Sequence, residues 1–182
     1  MKQLVRVLKQ IGKPTRIFRS PDGTRVLVLP HGGRVLGLYS PRSDENFYWT
    51  NTALESAESA RAFYAHDQWH NSGGDRTWLA PEVDLFFPNF PKLDAYCQQR
   101  SLDPGNYRIL KSGDSFMLAN RFEVKLSRLK KSIPLQITKR FGPAPNPLRY
   151  ERDLDLRGVG YAGYTQFTSL EILDRNVKAT VG

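Results

Sequence analysis

An antiparallel all-β sandwich with one or two short helices is the fold class that the sequence predicts, and three observations predict it. Apolar and polar residues alternate over 122–128 and again over 133–138, the period-2 signature of strands with one face in a core and the other in water. Short β-favouring runs are separated by proline and glycine turn signals. Nowhere do strand runs alternate with long helical patterns, as the βαβ units of a parallel sheet require. The 182 residues give room for one sizeable domain, so a single sandwich over 1–182 is expected.

Taken in chain order, Leu4, Val7, Leu8 and Ile11 recur at helical spacing, and Gly12 and Pro14 close the pattern, which predicts a short amphipathic helix. The runs 15–20 and 24–29 flank Pro21-Asp22-Gly23, where proline sets one dihedral and glycine accepts a positive φ, so a hairpin follows. Pro30-His31-Gly32-Gly33 breaks the chain again. A third strand, 34–39, comes next, and Gly37 within it marks a bulge or a close backbone contact. Residues 53–64 repeat Ala, Glu and Ser without proline and read as a surface helix. In the second half, Phe122, Val124 and Leu126 share one strand face, and Ile133, Leu135 and Ile137 share another. A Pro-rich loop at 142–147 separates them from a last strand pattern over 159–174.

Composition narrows the function. With 40% hydrophobic and 25% charged residues the chain is folded rather than disordered. The single cysteine, Cys97, cannot form an intramolecular disulfide and reads as a buried or idle thiol. Charges interrupt the apolar residues at the N-terminus, so no secretory signal is visible, and no segment has the length of a membrane span; cytoplasmic residence and no membrane partner are expected. The formal charge of +9 raises the question of a polyanion. Only Arg128, Lys130 and Lys131, then Lys139 and Arg140, approach a patch, and they fall in alternating segments that read as solvated strand faces. No nucleic-acid partner is therefore expected. Unpaired strand edges would favour self-association.

The stretch 73–82 concentrates the chemistry: a flexible Gly73-Gly74 entrance, then Asp75, Arg76, Thr77, Trp78 and, past Pro81, Glu82. If 75–80 is extended, Arg76 and Trp78 share one face. That pairing suits a sugar, whose rim hydroxyls need directed donors and acceptors and whose C–H face needs a flat platform. Arg76 would fork onto hydroxyls, Trp78 would be the platform, and Glu82 or Asp75 would accept hydroxyl protons. Asp75 with Glu82, or Asp84 with Glu82, could also face each other as a hydrolytic carboxylate pair. Upstream, His66 and His70 stand four apart, a spacing that binds metal on a helix face. Asp67 occupies the place of the metalloprotease glutamate, however, and Gly73-Gly74 breaks any helix. The segment reads instead as a loop at a cleft rim, with His70 and Asn71 donating to sugar hydroxyls, and neither metal nor cofactor is expected. Nucleophile-elbow, phosphate-loop and Cys-x-x-Cys motifs are absent.

The 73–82 block, with 31–38, Phe47-Tyr48-Trp49-Thr50-Asn51 and Gly160-Tyr161-Ala162-Gly163-Tyr164, resembles the galactose-mutarotase-like superfamily, near a bacterial branch with a glycine-glycine-acidic-arginine strand leading to Trp, Pro and Glu. The resemblance implies a β-supersandwich whose open face holds a sugar. In the family's mutarotases a carboxylate takes the anomeric proton while a histidine protonates the ring oxygen, which requires both groups within reach of one substrate. No histidine follows His70 here, and family members usually continue well past Asp174. The resemblance therefore implies the front part of a supersandwich and a sugar-contact role for Arg76 and its neighbours, without a catalytic assignment. A carbohydrate-binding domain is the first expectation; a mutarotase-type isomerase and a structural sandwich are the alternatives.

Overall fold

The computed structural model describes residues 1–67, 69–112 and 115–174. Two antiparallel sheets dominate it. The smaller contains β1 (Arg16–Arg19), β2 (Arg25–Leu29) and β3 (Arg34–Tyr39) in sequential order; the larger contains β4 (Arg108–Ser112), β5 (Ser115–Leu126), β6 (Lys131–Pro143) and β7 (Tyr164–Ile172), also in order. The all-β sandwich-like class read from the sequence is the class observed. The hairpin turn is built as its residues dictate: Gly23 has φ 86° and donates to the Ser20 carbonyl, while the Asp22 carboxylate accepts from the Thr24 amide at 2.9 Å.

The core explains the layering. Val26 and Val28 of β2 and Val35 of β3 pack with Leu118, Phe122 and Val124 of β5 and Ile133, Leu135, Ile137 and Phe141 of β6, so the two sheets close on each other. The opposite face of the small sheet is covered too. Leu29 and Leu36 meet Val7 and Leu8 of α1 (Lys2–Gln10), Leu54 of a 3-10 turn and Ala60 of α2 (Ala57–Ala65). That cover is why β2 and β3 are continuously apolar whereas β5 and β6 alternate. Burying each such Val, Leu or Phe stabilises by roughly 1.5–3 kcal/mol.

Gly37 marks the predicted irregularity. Leu27 faces Gly37 but Val28 faces Val35, so Leu36 is an extra residue in β3, and a Cβ on Gly37 would meet the Tyr39 ring. Other expectations need correction. Residues 75–80 form no ladder-bonded strand, and a helical turn, α3 (Glu82–Leu85), follows Pro81. β5 and β6 run to 12 and 13 residues, longer than the alternating cores at 122–128 and 133–138. Lys139 does not belong to a solvated strand face: it is 0% exposed, because β6 alternation carries Ile133, Leu135 and Ile137 on to 139 as an inward position. Cys97 is a free, exposed thiol. No helix among the described residues is long and apolar enough to cross a membrane.

Candidate functional site

The site grows from the first residue of β3. Arg34 enters the small sheet from the Gly32-Gly33 turn and is 2% exposed, so its guanidinium must find partners inside the protein. Nη1 donates to the Gly73 carbonyl at 2.9 Å and to Asn71 Oδ1 at 3.3 Å. Nη2 lies 3.7 Å from Asp103 Oδ2 and, among the described residues, has no hydrogen-bond acceptor. Asp103 is supplied by a wide turn, Ser101–Gly105, and is itself buried. The same Oδ2 accepts from Trp69 Nε1 at 2.9 Å and from Arg76 Nη1 at 3.5 Å.

Around this pair lies a cleft of about 250 Å³. Lys13 after α1, His31 before β3, Tyr64 of α2, His66, Trp69 and His70 of the following loop, and Arg100 and Asp103 form its wall. All three histidines of the chain meet there. His66 and His70 have ring centroids 4.5 Å apart, while Tyr64 contacts His31 at 5.3 Å and His70 at 5.4 Å. Burial, then the neighbouring Lys13, His70 and Arg34, lower the His31 pKa to about 4, so it is a neutral imidazole near pH 7. Burial and then His66 lower that of His70, and burial lowers that of Lys13, whose Nζ is 3.5 Å from His31 Nδ1 and 4.5 Å from the Tyr64 ring centroid.

The six residues expected from sequence divide. His70 lines the cleft, from a loop as foreseen, since α2 ends at Ala65. Asn71 holds Arg34, accepts from the Gly73 amide and, through its carbonyl, from Asn51 Nδ2 at 3.1 Å. Arg76 and Trp78 do stand together: the guanidinium carbon is 3.9 Å from the Trp78 ring centroid and 4.4 Å from that of Trp69. Such contacts stabilise by roughly 0.5–2 kcal/mol each. Trp78, however, also packs on Phe86 with centroids 4.6 Å apart and donates to Glu82 Oε1, so its ring is committed to the fold. The indole that borders the cleft is Trp69, 39% exposed. Asp75 is a clasp on β3, accepting from the Val35 amide at 2.6 Å and donating its own amide to the Val35 carbonyl at 3.0 Å. Asp84 is buried under the β5–β6 turn and accepts from the Arg128 amide at 2.8 Å. Asp75, Glu82 and Asp84 thus serve three different partners, and the hydrolytic pairing is not assembled.

Gly73-Gly74 is not a flexible entrance. Thr50 bridges Gly73, the Gly74 amide donates to the Trp49 carbonyl at 2.9 Å, and both glycines hold positive φ in close contact with backbone. Among the described residues no cluster of three or more His, Cys, Asp or Glu side chains could hold a metal ion. Sequence reasoning missed Lys13, His31, Arg34, Trp69, Arg100 and Asp103. The break at Pro30-His31-Gly32-Gly33 and the Asp103-Pro104-Gly105 triplet, which carries the same kind of turn chemistry, are the clue that sequence offers for His31 and Asp103, since binding groups concentrate on loops.

Comparison with protein-family models, with curated proteins and with solved structures gave no match.

Proposed function

We propose that this chain is a carbohydrate-binding domain related to the sugar mutarotases, and that it holds a monosaccharide or uronic acid in the cleft beside Trp69 and Arg76. One observation carries the reading: an exposed indole, backed by a stacked guanidinium, borders a hollow into which His31, His70, Arg34 and Asp103 bring polar groups. A pyranose asks for that combination, a flat apolar surface for its C–H face and directed groups for its rim. The volume of about 250 Å³ is below the roughly 300–1,000 Å³ typical of drug-sized ligands, which suits one sugar ring better than an oligosaccharide.

Calorimetric titration against a panel of neutral monosaccharides and uronic acids tests the proposal. At least one sugar binds, and Trp69→Ala and Arg76→Ala each weaken it by about tenfold or more while leaving the circular dichroism spectrum unchanged. Absence of binding across the panel, or unchanged affinity in both variants, overturns it. Polarimetry on freshly dissolved α-anomers of any sugar that binds separates a binding domain from an isomerase.

A further inference from the structure

The cleft is cationic and incompletely satisfied. Of its lining side chains, Lys13, Arg34 and Arg100 are formally positive, and Asp67 and Asp103 are negative. Asp67 is taken by Arg100 at 3.2 Å, and Asp103 Oδ2 is already shared by Arg34, Arg76 and Trp69. Lys13 is turned toward neutral groups, His31 Nδ1 and the Tyr64 ring. Two buried nitrogens, Arg34 Nη2 and His70 Nε2, lack a hydrogen-bond partner among the described residues. Leaving a buried guanidinium N–H without an acceptor is costly, and a negatively charged oxygen is the acceptor that a guanidinium fork meets best.

We propose that the base of this cleft is an oxyanion subsite, in which Arg34, Lys13 and His70 receive the carboxylate or phosphate of an acidic sugar. The inference rests on the carbohydrate reading and narrows it: the ring lies toward Trp69 and Arg76, and the charged substituent points to Arg34. A carboxylate presents two oxygens and a phosphate ester three, so either class of sugar acid supplies the acceptors that Asp103 cannot provide to every neighbour at once.

The test is calorimetry at low ionic strength on the full chain with glucose, galactose, glucuronate, galacturonate, glucose 6-phosphate and inorganic phosphate. Lys13→Gln, at the half-buried rim, is the principal variant; Arg34→Gln is the second, read only after its thermal unfolding confirms a fold. A uronate or the hexose phosphate is expected to bind about tenfold or more tighter than its neutral parent, and Lys13→Gln to remove most of that preference. The tighter of the two acids identifies the substituent. Neutral and acidic sugars of equal affinity, or a preference that survives Lys13→Gln, would overturn the subsite and leave the sugar reading standing. Lys13-dependent binding of inorganic phosphate without any sugar would support the subsite and overturn the sugar reading. No binding by any member of the panel overturns both.

Discussion

His31 stands where the cleft's chemistry and the protein's stability meet. Its ring is packed edge-on to Tyr64 beside the Lys13 ammonium, in an environment that penalises a second positive charge. The pKa of about 4 in the folded chain lies below the ordinary 6.5 of an unfolded one. Between those two values the unfolded chain binds a proton that the folded chain refuses, so stability falls as pH drops through 6.5 toward 4 and this contribution levels off below. The difference corresponds to ~2 kcal/mol once partial exposure is discounted. Urea unfolding at steps between pH 7.5 and 4 should show this decline in the wild type and a shallower one in His31→Gln. Identical slopes would mean that His31 is protonated as readily in the folded chain as in solution.

At the scale of elements, the 73–75 segment acts as a rivet between the loop at Trp49-Thr50 and β3. A Cβ on Gly74 would lie 2.1 Å from the Val35 carbonyl oxygen, and one on Gly73 would lie 2.3 Å from that of Trp49. Both obstacles are backbone and both φ angles are positive, so alanine at either position adds a clash to a left-handed strain. Gly74→Ala should therefore cost about 3 kcal/mol or more in chemical denaturation, whereas Gly142→Ala, with open space around it and an ordinary φ, should stay within about 0.5 kcal/mol. Equal effects would show that the segment is free rather than riveted. The same segment marks what a sequence conveys. Glycine announces conformational freedom, but whether that freedom is used for motion or for close approach depends on neighbours some 25 and 40 positions away, Trp49 and Val35. The hairpin at Gly23, the third strand and the first helix were legible because local turn chemistry and periodicity decide them. β4 was not, since Ile109 and Leu110 are adjacent apolar residues with no alternation to read. In the cleft, His70 was recognisable from its loop, while Arg34 was hidden inside a strand pattern and acquired its role only when Asn71, Gly73 and Asp103 folded against it.

Between the two sheets lies a mostly apolar interior that, among the described residues, contains one ammonium. Lys139 of β6 crosses from the large sheet and donates to the Gly33 carbonyl, at 2.6 Å, on the approach to β3 of the small one. Burial lowers its pKa more than Asp75 and Asp103 restore it, with Arg34 adding to the depression. A lysine whose folded pKa lies below 10.5 gives a definite sign: between the two values the unfolded chain keeps its proton and the folded chain does not, so wild-type stability rises with pH over that window. Methionine has a similar reach without the charge. Lys139→Met removes the desolvation penalty but also one hydrogen bond to Gly33, so at pH 7 the variant should be more stable by about 1 kcal/mol. As pH climbs toward 10.5 the wild-type ammonium deprotonates within the fold and the advantage should shrink. Tyr107, whose ring centroid lies 5.9 Å from the Lys139 ammonium, has its pKa raised to about 12 by burial, above the pH range compared, so its ionisation in the fold does not enter the comparison. Parallel urea titrations at pH 7, 8, 9 and 10 decide the matter. A variant weaker by about 3 kcal/mol or more at pH 7 would identify Lys139 as the indispensable partner of a buried carboxylate instead.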